Sequence, residues 1–236
     1  MREPVIEAID VVRRYGRGAA EVQALRGVNL KIRAGELTLL MGPSGSGKTT
    51  LLSILGCMLS PSSGTVRLRG ETTTNASQSE LARLRRQHVG FIFQSYHLFP
   101  TLSALDNVRL ALDVRGQTGQ AAVTRALDVL AAVGLAHKKD AFPHEMSGGE
   151  QQRVAIARAI AGTPSIILAD EPTGALDTEN GYAVMKVLAR IARDPGHGVL
   201  VVTHDPRVRS FANRILYIED GRIVGEERGT GLAAAE

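Results

Sequence analysis

Apolar positions along the chain follow two patterns, one typical of buried strands and one typical of amphipathic helices. Three short runs, 37–41, 166–169 and 199–202, are apolar at every position except Thr38 and do not alternate with polar residues. Runs of this kind are typical of strands that are buried on both faces of a parallel sheet. Because segments with helical spacing separate them, the pattern predicts an α/β core in which helices cover an open sheet.

Two antiparallel hairpins are predicted near the two ends of the chain. Alternating apolar residues at 5–15 and 22–32 form the first, and those at 215–224 form the second around an Asp220–Gly221 turn. An Asp-Gly pair between apolar residues is a strong signal for a tight hairpin. We expect both hairpins to flank the parallel core.

A helical lobe is predicted over about 101–162, where the strand pattern disappears. Within it, helical spacing places Val123, Leu127 and Leu130 on one apolar stripe. Such a stripe is typical of a helix that packs one face against a core. The lobe is therefore expected to be a packed part of the protein.

The length fits one large domain or two small ones, and we favour one domain with a lobe. We interpret 1–228 as that domain and 229–236, which offers no residue to a core, as a frayed tail. Cys57 is the only cysteine, which excludes an internal disulfide, and its spacing on the apolar side of a predicted helix indicates a core position.

The distribution of charge argues against a nucleic acid partner. The formal net charge is +4, and the one dense cationic segment, 83–88, follows Ser77 and Glu80 in the spacing of a helix capping box. We interpret it as the solvated face of a short helix. Aromatic residues, which stack on bases, make up only 4% of the chain.

No feature of the sequence indicates export or a membrane span. The first ten residues mix both charge signs and lack the cationic and apolar regions of a secretory signal. No apolar run approaches the roughly 18 to 20 residues that span a bilayer. We expect a cytoplasmic chain that reaches a membrane only through a partner.

A glycine-rich loop (42–49) between a predicted strand and a predicted helix matches the phosphate-binding pattern G-x-x-x-x-G-K-[ST]. The residues of this segment are Gly42, Pro43, Ser44, Gly45, Ser46, Gly47, Lys48 and Thr49, followed by Thr50. Glycines let backbone N–H groups turn toward phosphate oxygens, Lys48 reaches the terminal phosphates, and Thr49 can ligate Mg²⁺. A glycine-rich turn without a ligand is the alternative, and the strand-loop-helix setting favours a nucleotide.

Three further side chains stand at the ends of predicted buried strands. Asp170 and Glu171 end one strand and His204 follows another. Beside bound phosphates, Asp170 would hold Mg²⁺ through water and Glu171 would act as general base toward the attacking water. His204 could hydrogen-bond a γ-phosphate. Strand-end carboxylates facing solvent and a histidine without a ligand are the alternatives.

A second glycine pair belongs to the segment "MSGGEQQR", residues 146–153. Ser147 and Glu150 stand in capping-box spacing, which predicts the start of a helix. The free N–H groups of that helix terminus could receive a γ-phosphate. A simple helix cap is the alternative.

The order of these motifs resembles that of the ATP-binding subunits of ABC transporters. The segments that carry the resemblance are "GPSGSGKTT", "FIFQ", "MSGGEQQR", "IILADE", "GALD" and "VVTHD". Together they cover nearly the whole chain. The resemblance implies a P-loop NTPase core with a flanking antiparallel β subdomain and a helical lobe, which hydrolyses ATP with Mg²⁺.

The resemblance also implies roles for individual residues. Tyr15 would stack on adenine, and Gln94 would touch Mg²⁺ and signal to an integral-membrane permease. Asp177 would lie at a contact between two ATPase subunits, and His204 would be the switch histidine. For Tyr15, packing at the end of a strand is the alternative.

In this family the segment 146–153, called the signature segment below, closes over ATP that a second subunit holds. The resemblance therefore implies a homodimer, or an equivalent second ATPase subunit, in which the partner's ATP meets Ser147, Gly148, Gly149 and Glu150. Met146 stands where leucine is usual and fills a similar volume. Glu150 stands where glutamine is usual and adds a negative charge near ATP.

The chain is most similar to the branch that serves lipoprotein release, macrolide export and related efflux systems, although Ala175 replaces a frequent asparagine. Tyr96, Leu98 and Phe99 are apolar in a segment expected at the surface. They are candidates for a groove that holds a coupling helix of the permease, with core packing as the alternative.

Two other classes of protein carry related motifs. ATPases of DNA repair or chromosome organisation contain long coiled coils or two ATPase units, whereas this chain has one glycine-rich phosphate motif and no sustained heptads. A small-molecule kinase is the remaining alternative. The resemblance leaves the transported substrate open.

Overall fold

The structure is a computed structural model that describes residues 4–231, apart from the side chain of Ala19. The strands are β1 Pro4–Tyr15, β2 Val22–Arg33, β3 Leu37–Met41, β4 Ser63–Leu68, β5 Glu71–Thr72, β6 Val89–Ile92, β7 Ile166–Asp170, β8 Gly198–Thr203, β9 Arg214–Glu219 and β10 Arg222–Arg228. The α-helices are α1 Lys48–Leu55, α2 Gln78–His88, α3 Ala104–Asp113, α4 Gly119–Ala132, α5 Gly148–Ile160 and α6 Thr178–Ala192.

The central sheet has the strand order β10-β9-β3-β8-β7-β6. Its strands are parallel except β10, which runs antiparallel to β9. The three predicted central strands are confirmed as β3, β7 and β8, and all their residues except Asp170 are buried. The continuous apolar runs therefore reflect burial on both faces.

Both predicted hairpins are present, but they have different places in the fold. The first, β1–β2, belongs to a separate antiparallel sheet of order β2-β1-β4-β5 and flanks the core as expected. The second, β9–β10, does not flank the core, because β9 pairs in parallel with β3 and is part of the central sheet. This pairing satisfies the backbone groups on the second side of β3.

Alternate residues of the central strands enter two separate hydrophobic cores, as the pleat of a strand requires. Leu39 and Ile167 point into a core shared with α3, α4, α5 and α6. Leu40 and Leu168 point into a second core shared with α1, α2 and the antiparallel sheet. The central sheet is therefore covered on both faces.

The helical segment expected between residues 101 and 162 contains α3, α4 and α5, which pack against one another. The predicted stripe on α4 needs a correction. Leu130 is fully buried, but Val123 and Leu127 are only half-buried, and Ala122 and Ala126 form the centre of the buried face. Such small side chains carry little hydrophobic signal, although they let neighbouring helices approach closely. Among the described residues no helix is both long and apolar enough to cross a membrane.

The capping box predicted before the cationic segment is confirmed at the start of α2. The Ser77 side chain accepts a hydrogen bond from the Glu80 N–H, and the Glu80 carboxylate accepts one from the Ser77 N–H at 2.8 Å. The arginines of 83–88 follow on this helix, where only Leu81 and Leu84 are buried. The cationic segment thus has one solvated face, while Leu84 is buried and the Arg85 guanidinium donates to the Cys57 carbonyl oxygen at 2.8 Å.

Cys57 is buried, as predicted, although α1 ends before it and its φ is 58°. Burial raises the pKa of its thiol to about 11. At the other end of the chain, Gly229 and Gly231 donate backbone hydrogen bonds to Asn213 and Ala212. This part of the expected tail is therefore attached, whereas 232–236 lies outside the described residues.

Candidate functional site

An open cavity of about 640 Å³ lies at the carboxyl edge of the central sheet. Its walls come from the glycine-rich loop, the start of α1, one residue of β2 and the segments at the ends of β6, β7 and β8. The lining residues are Ala24, Pro43, Ser44, Gly45, Gly47, Lys48, Thr49, Thr50, Gln94, Asp170, Glu171, Val202 and His204. The structure thus brings together most of the site residues expected from the sequence.

The glycine-rich loop is held in place by β2 and β9. Gly47 has φ of 100°, and a Cβ built on it would lie 2.6 Å from the Ala24 carbonyl oxygen. A Cβ on Gly42 would overlap the Ile218 carbonyl oxygen. Both glycines are therefore required by close backbone packing, and Gly47 also by its left-handed conformation.

Lys48 lies at the start of α1 and folds back over the loop. Its Nζ donates to the carbonyl oxygens of Gly42 at 2.7 Å and Pro43 at 2.6 Å. Burial lowers the pKa of the Lys48 ammonium, while Glu171 and Asp170 act in the opposite direction. The ammonium, together with the N–H groups at the amino end of α1, gives this side of the cavity a positive character that suits an anion.

Asp170 and Glu171 stand at the end of β7 in different environments. Burial and the charge of Glu171 raise the pKa of Asp170, and a hydrogen bond from the Thr49 side chain opposes this. Glu171 has φ of 47°, and its N–H donates to the Val202 carbonyl oxygen at 2.9 Å. This turn places the Glu171 side chain in the cavity wall next to β8.

His204 contacts the carboxylate of Glu171. The distance from His204 Nδ1 to Glu171 Oε1 is 2.7 Å, and the imidazole is 74% exposed whereas the carboxylate is 16% exposed. Because Oε1 is an acceptor, the proton of the bond belongs on Nδ1. This geometry leaves Oε2 of Glu171 and Nε2 of His204 for a ligand or water.

Gln94 completes the cavity from the segment after β6. A Cβ built on Gly174 would lie 2.9 Å from Gln94 Nε2, so a larger residue there would push the amide away. Sequence reasoning missed this role of Gly174. The hydroxyl of Thr49, the carboxylate of Asp170 and the amide oxygen of Gln94 are the hard oxygen ligands that Mg²⁺ prefers.

The described residues contain no group of three or more His, Cys, Asp or Glu side chains that could hold a metal ion by themselves. Mg²⁺ commonly binds one or two protein carboxylates and completes its octahedron with phosphate oxygens and water. The donor set of Thr49, Asp170 and Gln94 fits that mode of binding.

Three of the expected site features do not line this cavity. Tyr15 is 41% exposed at the end of β1, where the guanidinium carbon of Arg13 lies 4.7 Å from its ring centroid. Asp177 caps α6 by accepting a hydrogen bond from the Asn180 N–H. The signature segment starts α5, on a different part of the chain.

The signature segment forms the capping box predicted from its spacing. The Ser147 side chain accepts from the Glu150 N–H at 3.3 Å, and the Glu150 carboxylate accepts from the Ser147 N–H at 2.9 Å. The Ser147 N–H and the nearby Lys138 lower the pKa of Glu150. Met146 is buried in the core, as its leucine-like volume suggests.

Both glycines of the signature segment are in close contact with other parts of the chain. A Cβ on Gly148 would lie 2.7 Å from the Tyr96 hydroxyl oxygen, and one on Gly149 would overlap the Asn180 side chain. The start of α5 therefore packs against the segment after β6 and against α6. No local signal in the sequence indicated these contacts.

Comparisons with known proteins give a consistent result. Residues 25–174 match the family described as ABC transporter. The macrolide export ATP-binding/permease protein of Burkholderia thailandensis is 48% identical over 96% of this chain and 34% of its own length. The same protein of Aeromonas hydrophila is 45% identical over 97% of this chain and 35% of its own length. The chain thus spans about a third of the length of these relatives.

Two solved structures of ATP-binding cassettes are also similar to this chain. A dimeric ATP-binding cassette in a post-hydrolysis state with ADP and Pi has a TM-score of 0.85 and 41% identity over 94% of this chain and 98% of its own. A dimeric bacterial ABC transporter cassette has a TM-score of 0.85 and 42% identity over the same shares. The predicted fold, a P-loop NTPase core with an antiparallel subdomain and helices, is confirmed.

The packing of the glycine-rich loop predicts different outcomes at two glycines. Gly45 and Gly47 both have positive φ, but no atom lies within 4 Å of a Cβ on Gly45. We expect Gly45→Ala to lower the free energy of unfolding by roughly 1 to 2 kcal/mol from backbone strain alone. Gly47→Ala adds overlap with β2 and should cost roughly 1 to 3 kcal/mol more. Urea unfolding measures both, and equal losses would contradict the packing assigned to Gly47.

Proposed function

The chain belongs to the ABC transporter family, and we propose that it binds ATP and hydrolyses it to drive transport through a membrane permease. The observation that carries this proposal is the cavity in which Lys48, Asp170, Glu171 and His204 meet beside the glycine-rich loop. The similarity to solved ABC cassettes, one of them bound to ADP and Pi, supports the same function.

ATP would bind with its phosphates on the glycine-rich loop. The amino end of α1 supplies N–H donors and positive dipole, and Lys48 would exchange its contacts with two loop carbonyls for oxygens of the terminal phosphates. Thr49, Asp170 and Gln94 would hold Mg²⁺, Asp170 through water. Bound there, the ion would neutralise charge on the phosphate oxygens.

Glu171 is the general base in this proposal. Its Oε2 would take a proton from the water whose oxygen attacks the γ-phosphorus, and the bond from that phosphorus to the bridging oxygen would break to release ADP. His204 would donate from Nδ1–H to the Glu171 carboxylate, and with a second proton on Nε2 it would also donate to the γ-phosphate. In this proposal Oε1 of Glu171 is used for orientation and Oε2 for proton transfer.

The position of the signature segment supports a dimeric mechanism. Ser147, Gly148, Gly149 and Glu150 do not line the cavity that contains the glycine-rich loop of the same chain. The N–H groups at the start of α5 would meet the γ-phosphate of ATP held by a second copy or an equivalent subunit. Asp177 would lie at the contact between the two subunits, and Tyr15 would stack on adenine.

The remaining two thirds of the macrolide exporters' length supports a membrane partner for this chain. We place the chain on the cytoplasmic face of a membrane, bound to a permease of an efflux system. Phe99 is 50% exposed and is the better candidate for a permease contact. Leu98 is partly buried and packs against the core, and half-buried Tyr96 packs against Gly148, so Phe99 alone of the three residues expected in the groove is largely exposed.

Substitution of Glu171 tests the catalytic proposal. Glu171→Gln keeps the size of the side chain but cannot accept the proton, so the ATPase rate should fall by about 10² to 10⁴-fold while MgATP still binds. The control is Glu227→Gln, which changes a surface carboxylate paired with Arg209. ATPase rates and nucleotide titration measure both effects. A Glu171→Gln variant with wild-type turnover would exclude this role.

In the same titration, Lys48→Ala should weaken ATP binding itself.

Two neighbouring apolar residues test the permease contact. Leu98→Asp should lower the free energy of unfolding by roughly 2 to 4 kcal/mol because it places a charge against the core. Phe99→Asp should leave thermal unfolding unchanged and abolish co-purification with the permease. If Phe99→Asp still binds the permease at wild-type affinity, the contact lies elsewhere.

A further inference from the structure

A buried glutamine, Gln152, connects α5 to the two segments that carry Gln94 and Glu171. Its side-chain Nε2 donates to the Pro172 carbonyl oxygen at 2.8 Å and to the Phe93 carbonyl oxygen at 3.4 Å. Pro172 directly follows Glu171, and Phe93 directly precedes Gln94. One amide group therefore holds the backbone next to both cavity residues.

The chemistry of this contact requires an amide donor. Both partners are carbonyl oxygens, so only the NH₂ group of Gln152 can face them. The side chain is fully buried, and its neighbours on the helix, Val154, Ala155 and Ile156, are buried apolar residues. A polar amide is unfavourable in such a place unless it makes hydrogen bonds. The contacts with the two loops satisfy the NH₂ group of Gln152, whereas its Oε1 is buried without a hydrogen-bond partner among the described residues.

A second side chain of α5 holds the far side of the Gln94 segment. The Arg158 guanidinium donates to the carbonyl oxygens of Tyr96, at 2.8 Å, and of His97. Tyr96 and His97 have φ of 58° and 49°, a left-handed conformation that is unfavourable for residues other than glycine. The fork of Arg158 stabilises this conformation. Side chains of α5 thus form hydrogen bonds with the backbone on both sides of Gln94.

We propose that Gln152, together with Arg158, is a positioning residue that couples the positions of Gln94 and Glu171 to that of α5. This proposal rests on the proposed ATPase function. The same helix begins with the signature segment, where the γ-phosphate of the second subunit's ATP would bind. A shift of α5 on contact with that phosphate moves the carbonyls that Gln152 holds. Gln152 therefore links nucleotide in one site to the catalytic groups of the other.

The test replaces the amide with an apolar side chain of similar size. In Gln152→Leu the hydrogen bonds are lost, so kcat for ATP should fall about 10 to 10²-fold through misplacement of the catalytic groups. The affinity for ATP should stay unchanged because the glycine-rich loop is not contacted. The control is Gln120→Leu, which makes the same change at an exposed position on the first turn of α4, outside the cavity lining. Equal kcat values in the two folded variants would overturn the proposal.

A second pair keeps the test decisive if Gln152→Leu does not fold. Arg158→Lys retains the charge but loses the fork. Arg125→Lys makes the same change at a guanidinium that donates to the Ala161 carbonyl oxygen at the carboxyl end of α5 and does not contact the Gln94 segment. We expect a lower kcat with unchanged ATP affinity in Arg158→Lys alone, and matching values in both would overturn the proposal.

The ATPase activity of the wild-type chain distinguishes a failure of the proposed function from a failure of the positioning role. If it binds but never hydrolyses ATP with its permease present, the proposed function is wrong. If it hydrolyses ATP and the Gln152 and Arg158 variants match their controls, only the positioning role is wrong.

Discussion

The parallel strands β3, β8, β7 and β6 end within two residues of one another in register, and the whole cavity depends on this register. Met41 lies opposite Thr203, and Asp170 lies opposite Val202. The side chains of these strands fill a core on each face, so a slip by one residue would turn each apolar set to the wrong side. The register therefore places the glycine-rich loop and the groups that follow the other strands at one edge.

The same constraint explains why much of the site could be predicted from the sequence. The glycine-rich loop, Asp170, Glu171 and His204 each follow a local apolar run directly, and parallel strands in one sheet bring their carboxyl ends together. Gln94 follows a short strand with little pattern of its own, so only the family resemblance indicated it. The local sequence pattern is therefore sufficient to predict a site residue when that residue comes at the end of a buried strand.

The contacts that were missed join segments far apart in the chain. Gln152 and Arg158 hold loop carbonyls, which any residue could provide, so nothing in the sequence marks their partners. Gly174 is recognisable only when the Gln94 amide is beside it. Pairing of β1 with β4, and of β9 with β3, was missed for the same reason, because the partner strands are distant in sequence.

The central claim is that the glycine-rich loop and the signature segment of one chain serve different ATP molecules. The most direct measurement mixes a Lys48→Ala chain with a Ser147→Arg chain and follows ATP-dependent association. Each variant alone has two damaged sites, whereas the mixed dimer unites both lesions in one site and leaves the other intact. The account predicts that association, with partial hydrolysis, returns only on mixing. Normal dimerisation and hydrolysis by Ser147→Arg alone would contradict it.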